Sequence, residues 1–369
     1  MATLLRRCPG PRAQRRTQSV PRGARASATA STSGPGPGPG LRLASGGATV
    51  HLVGSPCPAV RLAVQGRGEA TVALHGGTLL SWRVPRGRLG AEGETEEVLF
   101  LSDLAEFEAP KAIRGGAPVC FPQFVDGAGV EGMGAFGNHG FARNSDWKVV
   151  EGECAADASG ATAVLELSPE GGGLAGAVPD AWAEGGAGGG RWLLQLRVTL
   201  TSRGHLVARF AVRNRDARAP LGPLQLLFHA YFRVADVADV HTRVTGLEGC
   251  AHWDSLAGGH QALVDGSASP VSFPGGANVD RIYLDSGDRV KRLEGAGERG
   301  DRVISIAATG LDDTVVWNPG PEKASQLSDL DPGGERHFVC IEPGCVRDPA
   351  TVAPGGEWIS EIRLICEDA

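Results

Sequence analysis

The chain has 369 residues, of which 41% are hydrophobic and 21% charged, and it contains 55 Gly and 24 Pro. This composition is typical of a globular protein with many turns and excludes an architecture of long helices. The formal charge is −6, and it becomes −14 (28 basic against 42 acidic residues) without the eight Arg of residues 1–45, so we expect no nucleic-acid partner. No apolar run is long enough to span a bilayer, which predicts no membrane partner.

Residues 1–45 differ in composition from the rest of the chain. They contain eight Arg, abundant Ser, Thr and Ala, and no acidic residue, and the first acidic side chain is Glu69. Residues 34–40 read GPGPGPG, an extended spacer. We expect residues 1–45 to be a disordered transit peptide that is removed on import into the chloroplast stroma. A basic disordered tail is the alternative, and mitochondrial or cytoplasmic locations are less favoured because the Arg residues do not share one helical face.

From Ala59 onward, apolar and polar residues alternate in short runs, the period of strands with one buried face. Residues 192–200 and 206–212 are two such runs, and the short Gly-containing link between them predicts a hairpin. Residues 103–109 are predicted to form a short helix. We therefore predict an all-β fold over residues 46–369, a single large antiparallel β-sandwich with few short helices, and a monomer.

Residues 171–190 interrupt the strand pattern with a low-complexity, Gly-rich sequence. We predict an inserted surface loop there.

Familiar cofactor and metal motifs are missing from the sequence. There is no Walker-type phosphate loop, no H-E-x-x-H and no G-x-S-x-G, and the nine His lack metal-ligand spacing. Residues 127–132 and 295–300 match G-x-G-x-x-G, but without the strand, tight turn and helix of a dinucleotide site. The eight Cys are scattered without a C-x-x-C pair, which indicates reduced thiols. We expect no cofactor and no metal.

Four polar motifs lie within or beside apolar strands. They are Lys111–Pro122 (KAIRGGAPVCFP), Asn138–Arg143 (NHGFAR), Leu227–Phe232 (LFHAYF) and Val339–Gly344 (VCIEPG). Each has an ordinary structural explanation: a hydrogen-bonded core His, a carboxylate at a strand end, or a surface Arg ion pair.

These motifs, with Gly76-Gly77, Ser81-Trp82, Asp280-Arg281-Ile282-Tyr283 and Val316-Trp317-Asn318-Pro319, occur in the order of a known family. From about Ala59 to Cys366, the chain resembles the glucose-6-phosphate 1-epimerase (hexose-6-phosphate mutarotase) branch of the galactose mutarotase-like, aldose 1-epimerase superfamily. The resemblance implies the family's large β-sandwich and the interconversion of the α and β anomers of a sugar phosphate, the expected small-molecule partner.

The resemblance also implies roles for individual residues. Glu342 is the base at the C1 hydroxyl and His229 the acid at the ring oxygen, with the roles exchanged when the ring closes. The reaction needs only one acid and one base, which we expect on opposite sides of the C1–O5 unit. His139 is a ligand of sugar hydroxyls, although from the residues alone it is an alternative acid.

The remaining site residues concern substrate binding. The resemblance assigns Arg114 and Arg143 to the phosphate, whose charge suits a guanidinium fork. Asp280 accepts hydrogen bonds from sugar hydroxyls, and Asn138 stands where many relatives carry the longer Gln. Two positions are open for Trp82, Trp317 and Phe141, facing the sugar ring or packing in the core, and the core is favoured.

Two other functions remain open at this stage. A mutarotase for free sugars would lack the paired Arg residues, whereas a sugar-phosphate-binding β-sandwich without turnover would not need both His229 and Glu342.

Overall fold

The structure is a computed structural model that describes residues 40–86, 94–127, 130–131, 133–171, 173–174, 182, 191–257 and 263–369. The first strands along the chain are β1 (Arg42–Ser45), β2 (Ala48–Val53), β3 (Ala59–Val64), β4 (Gly68–Ala73), β5 (Leu79–Pro85), β6 (Thr95–Glu97), β7 (Val119–Cys120), β8 (Lys148–Val149), β9 (Ala155–Asp157), β10 (Gly160–Leu167), β11 (Trp192–Thr201) and β12 (Leu206–Asn214). They are followed by β13 (Leu221–Phe228), β14 (Tyr231–Arg233), β15 (Arg243–Thr245), β16 (His252–Asp254), β17 (Leu263–Val264), β18 (Val271–Ser272), β19 (Val279–Tyr283), β20 (Lys291–Ala296), β21 (Arg302–Thr309), β22 (Asp313–Asn318), β23 (Phe338–Val352) and β24 (Glu357–Asp368).

Helices are short throughout the described residues. The α-helix α1 spans Gly320–Ala324, and single 3₁₀ turns occur at Ala142–Asn144, Glu151–Glu153, Pro169–Gly171, Pro274–Gly276 and Gly334–His337. No helix among the described residues has the length and apolar character needed to cross a membrane.

The strands form three antiparallel sheets. The first sheet has six strands in chain order, β1 to β6. The second has ten strands in the order β18-β15-β20-β21-β24-β12-β11-β10-β8, with β9 beside β10. The third has eight strands in the order β17-β16-β19-β22-β23-β13-β7, with β14 beside β23. The predicted all-β fold class with few short helices is thus confirmed.

The predicted hairpin is also confirmed, because β11 and β12 pair directly from Trp192↔Asn214 to Leu200↔Leu206. Inward side chains of this sheet contribute to one large core, in which Trp82, Trp147 and Trp192 are fully buried. The core positions predicted for Trp82 and Phe141 are confirmed as well.

Most of the predicted Gly-rich loop, residues 171–190, lies outside the described residues. One described residue of this segment, Trp182, is 5% exposed and belongs to the core. Its ring packs edge-on against Phe121, and its carbonyl accepts a hydrogen bond from Trp192 Nε1 at 2.8 Å. Trp182 is thus packed into the core at one point of the segment, since a large aromatic side chain gains by burial. The inserted surface loop stays a prediction.

Two predicted boundaries need correction. Residues 1–39 of the predicted leader lie outside the described residues, but Arg42–Ser45 form β1 and pair with β2 from Arg42↔His51 to Ser45↔Ala48. The folded part therefore starts before residue 46, because the backbone groups of β2 bond to this extra strand. The helix predicted at residues 103–109 is absent: only a turn forms, and Pro110 disfavours helical geometry at the residue before it.

Candidate active site

The register of the eight-stranded sheet brings distant residues together. The pairs Leu227↔Gly344 and Tyr231↔Cys340 are both directly opposite, so equal spacing along the two chain segments sets His229 opposite Glu342. Cross-strand neighbours of this kind have their Cβ atoms about 4.5–5.5 Å apart. His229 lies between β13 and β14, and Glu342 lies within β23.

Two rows of side chains run across these strands. The first, which we call the His229 row, has the cross-strand order His229, Glu342, Val315 and Ile282. The second, the Tyr231 row, has the cross-strand order Tyr231, Cys340, Trp317 and Asp280. Strand pairing thus brings the polar side chains of the two rows together. In the second row, the Trp317 ring lies between Cys340 and Asp280.

His229 and Glu342 are buried side by side. His229 is 7% exposed and Glu342 1%, and the distance from His229 Nδ1 to Glu342 Oε1 is 3.4 Å. This contact is not a hydrogen bond, because His229 Nδ1 has no hydrogen-bond partner among the described residues; the other carboxylate oxygen, Glu342 Oε2, has none either. The expectation that the two groups lie on opposite sides of the C1–O5 unit is wrong, since a gap of 3.4 Å between their polar atoms leaves no room for the unit between them.

Aromatic rings enclose His229 on three sides. The Tyr231 ring stacks on the imidazole with centroids 4.7 Å apart and planes inclined by 6°. The rings of Trp317 and His139 approach it edge-on, each with a centroid distance of 5.7 Å. Half-buried Trp317 therefore lines the site, which is the less favoured of its two predicted positions.

Burial disfavours the charged form of both members of the pair. Desolvation lowers the pKa of His229 well below its ordinary value, and the charges of Arg143 and Arg114 lower it further. Desolvation raises the pKa of Glu342 well above its ordinary value; the nearby Asp280 adds to the rise and Arg143 opposes it. Burial thus favours a protonated carboxyl group at Glu342 and a neutral imidazole at His229.

The Asn138–Arg143 segment forms one rim of the site in a constrained conformation. His139 has a positive φ of 61°, and Gly140 follows with φ 72°. A Cβ atom on Gly140 would lie 2.1 Å from the Phe121 carbonyl oxygen, so only glycine fits there. The sequence therefore fixes the chain direction immediately after His139.

His139 presents a neutral imidazole with a defined tautomer. The Val125 N–H donates to His139 Nδ1 at 3.3 Å, so the second nitrogen, Nε2, carries the proton and is a donor. Desolvation, followed by the charge of Arg143, lowers the pKa of His139 well below its ordinary value. This arrangement suits a ligand of a hydroxyl oxygen better than an acid that must exchange protons.

The two arginines differ in how many partners they already have. Arg114 Nε donates to Asp329 at 3.2 Å and its Nη1 to the Tyr231 hydroxyl at 3.0 Å. Arg143 donates through Nη2 to the Asn138 carbonyl at 3.1 Å, whereas its buried Nε has no partner among the described residues. Arg143 is thus the less neutralised guanidinium of the two.

The opposite rim holds Asp280 and a residue that the sequence did not suggest. Asp280 accepts a hydrogen bond from Ser255 Oγ at 3.2 Å and forms an ion pair with Lys323 Nζ at 3.5 Å. Lys323 also stands 5.7 Å from the centroid of the Trp317 ring. Asn138, on the first rim, is exposed and contributes its carbonyl to Arg143.

A buried histidine ties the two arginine-bearing segments together. His75 Nδ1 contacts Asp146 Oδ1 at 3.1 Å, and its Nε2 contacts the Lys111 carbonyl at 2.7 Å. Lys111 begins the segment of Arg114, and Asp146 follows the segment of Arg143. Sequence reasoning missed His75, although it directly precedes the Gly76-Gly77 pair.

Comparison with known proteins identifies the family. The family described as aldose 1-epimerase matches residues 58–364, most of the chain and nearly all of the described part. The chain belongs to the aldose 1-epimerase family. It is therefore an isomerase of the class that interconverts sugar anomers.

Individual relatives agree with this assignment. A protein of Cenchrus ciliaris with the provisional name glucose-6-phosphate 1-epimerase is 31% identical over 298 residues, which are 80% of this chain and 80% of the relative. A protein of Escherichia coli (strain K12) with the same provisional name is 32% identical over 275 residues, 74% of this chain and 79% of the relative.

Solved structures show the same fold. The crystal structure of YeaD from Salmonella typhimurium, provisionally named a mutarotase, has a TM-score of 0.66 at 23% identity and covers 90% of this chain and 97% of its own. A galactose 1-epimerase from Lactobacillus acidophilus NCFM has a TM-score of 0.58 at 12% identity, with 86% and 95% covered.

Proposed function

We propose that the protein interconverts the α and β anomers of a hexose 6-phosphate, with glucose 6-phosphate as the first substrate to test. The observation that carries the proposal is the buried His229–Glu342 pair with 3.4 Å between its polar atoms. The relatives provisionally named glucose-6-phosphate 1-epimerase support the same substrate.

The His229–Glu342 pair has one transferable proton, which suits ring opening. The hydroxyl oxygen on C1 and the ring oxygen share one carbon, so an acid and a base that lie side by side reach both atoms from one edge of the sugar. Because the pair holds one proton, one member accepts the C1 hydroxyl proton while the other protonates the ring oxygen. The C1–C2 bond of the open aldehyde then rotates, and closure from the other face inverts the anomeric centre.

The roles within the pair follow the family resemblance. Glu342 takes the hydroxyl proton and His229 supplies the proton to the ring oxygen, with the roles exchanged on closure. These roles require the proton to be on His229, which gives a carboxylate and an imidazolium with the same number of protons as the uncharged pair. The two protonation forms belong to one coupled pair, so either form supplies one acid and one base.

The rims provide the groups that hold the substrate. His139 donates through Nε2 to a sugar hydroxyl, and Asp280 accepts hydrogen bonds from others. Arg143, with its unpartnered Nε, is the first ligand of the phosphate, and Arg114 contributes charge and the N–H groups not bound to Asp329 and Tyr231. Asn138 contributes from the exposed end of the same rim.

One-dimensional NMR exchange spectroscopy tests the proposed substrate. With purified protein, saturation of one anomeric proton of glucose 6-phosphate is expected to transfer to the other anomer much faster than in buffer, and free glucose is expected to respond less. Equal acceleration of both sugars would favour a mutarotase for free sugars. Binding of glucose 6-phosphate without transfer would show a binding protein without turnover.

We also propose that residues 1–45 direct import into plastids, on the composition described above. A fluorescent reporter fused behind residues 1–58 is expected in plastids, and a reporter that stays in the cytosol would contradict this.

A further inference from the structure

A thiol lies beside the acid/base pair and has no part in the proposed reaction. Cys340 precedes Glu342 by two residues on β23 and is fully buried. One ligand atom each from His229, Cys340 and Glu342, namely a ring nitrogen, the sulfur and a carboxylate oxygen, lie within 4.8 Å of one another. Three different types of metal-binding group thus converge on one point of the sheet.

Two atoms of this cluster are buried without a partner. His229 Nδ1 and Glu342 Oε2 make no hydrogen bond to the described residues. A buried polar atom without a partner costs free energy, because it has lost its hydrogen bonds to water. An electrophile that contacts both atoms would remove this cost, which independently indicates that the cluster can hold a ligand.

We propose that His229, Cys340 and Glu342 form a binding site for Zn²⁺, and that Zn²⁺ bound there inhibits the enzyme. Nitrogen, sulfur and carboxylate oxygen are the donors that Zn²⁺ takes in proteins, at about 2.0–2.3 Å. In a tetrahedral site these bond lengths put the ligand atoms roughly 3.3–3.7 Å apart. The separation of 3.4 Å between His229 Nδ1 and Glu342 Oε1 already lies in this range, and the sulfur needs a movement of about 1 Å.

Charge favours the same ion. On binding, the Cys340 thiol and the Glu342 carboxyl group release their protons to solvent. The resulting thiolate and carboxylate together neutralise the two positive charges of the metal, so the buried complex is uncharged. The fourth position of the tetrahedron remains open to water or to a sugar oxygen. A mixed nitrogen and sulfur set disfavours Mg²⁺, which prefers six oxygen ligands.

The expected consequence is inhibition, because the metal occupies the lone pairs that the acid and the base need. This part of the inference rests on the proposed function, whereas the binding of Zn²⁺ does not. The two are therefore measured separately.

Metal binding is tested on the full chain without any substrate. Co²⁺ replaces Zn²⁺ as the probe because a cobalt–thiolate bond gives a charge-transfer absorption band in the near ultraviolet. Wild-type protein freed of metal with a chelator is expected to bind one equivalent with this band, and Zn²⁺ is expected to abolish it. Wild-type protein that shows no thiolate band with Co²⁺ would overturn the proposal, whatever the variants do.

Variants of two buried cysteines identify the ligand. In Cys340→Ala and Cys340→Ser the thiolate band is expected to disappear. The Zn²⁺ affinity is expected to fall at least about 10-fold, because loss of a group that only supports a ligand already weakens metal binding by about 10- to 100-fold. The matched control is Cys120→Ala, which removes another fully buried thiol that lies outside the cluster. Unchanged Zn²⁺ binding in both Cys340 variants would contradict the assignment.

Inhibition is tested by the NMR exchange of glucose 6-phosphate. Micromolar Zn²⁺ is expected to stop exchange in wild type and Cys120→Ala, a chelator to restore it, and equal Mg²⁺ to leave it unchanged. Cys340→Ser is expected to require at least about 10-fold more Zn²⁺. If cobalt binds through the thiolate but wild type shows no exchange, the proposed function fails and the metal site stands; if exchange continues in metal-saturated wild type, the inhibitory role is wrong.

Discussion

The floor and the rims of the site are built in different ways. The floor consists of His229, Glu342 and Cys340, whose positions follow from the pairing of adjacent antiparallel strands and which are buried. The rim of Asn138, His139 and Arg143 lies on a connecting segment with positive φ angles and partly exposed side chains. In the proposed function, proton transfer therefore depends on residues placed by strand pairing, whereas recognition of the substrate depends on a connecting segment of defined shape.

The largest effect is expected on the floor. His229→Ala should slow anomer exchange of glucose 6-phosphate at least about 100-fold, because general acid/base catalysis contributes roughly 10²–10⁴-fold. Circular dichroism should show an unchanged fold, and His205→Ala at the β11–β12 hairpin is the control. An exchange rate within a few-fold of wild type would show that His229 is not the acid or the base. The floor would then not be the place of proton transfer.

A smaller and selective effect is expected on the rim. Arg143→Ala should raise KM for glucose 6-phosphate by about 10- to 150-fold, which corresponds to the roughly 1.5–3 kcal/mol of a hydrogen bond to a charged group. The rate at saturation should change much less, and exposed Arg363→Ala should behave as wild type. An equal loss with unphosphorylated glucose would show that Arg143 does not bind the phosphate.

The connection between the arginine segments is expected to matter less. His75→Ala removes two contacts, to Asp146 and to the Lys111 carbonyl, and should raise KM for glucose 6-phosphate by about 2- to 10-fold with kcat unchanged. The inhibition constant of inorganic phosphate as a competitor should rise by the same factor, and the affinity for glucose should not change. A loss of kcat without a change in KM would show that His75 supports the floor instead.

The smallest effect concerns stability. The pKa of Glu342 is raised by folding, so the carboxyl ionises first in the unfolded chain and destabilises the fold as pH rises above about 4.3. Glu342→Gln removes this penalty and should raise Tm at pH 7.5 by about 2 °C or more, the effect of roughly 1 kcal/mol. The gain should vanish near pH 4, and Glu367→Gln is the exposed control. A lower Tm for Glu342→Gln at pH 7.5 would contradict the raised pKa.

Strand periodicity and motif order predicted the floor well. The alternation of residues identified the all-β class and the β11–β12 hairpin, and the LFHAYF and VCIEPG segments contained both members of the pair. The register could not be predicted, because residues 113 positions apart pair only through the folding of the whole sheet. The side-by-side contact and the neighbouring Cys340 therefore came only from the structure.

The rims were predicted less completely. Arg114, Arg143, His139 and Asp280 were found because they lie in motifs. Asp329 and Lys323 carry no motif, and they reach the site because the chain around α1 packs beside Tyr231 and Trp317. Ion pairs between such distant side chains depend on tertiary packing, which periodicity does not encode.

The most direct test compares wild type and Glu342→Gln at equal concentration by NMR exchange of the two anomeric protons of glucose 6-phosphate. The amide keeps the shape of the side chain but cannot accept and return the proton. We expect rapid exchange with wild type and at least about 100-fold slower exchange with the variant. Exchange at the same rate in both would contradict a reaction that depends on the His229–Glu342 pair.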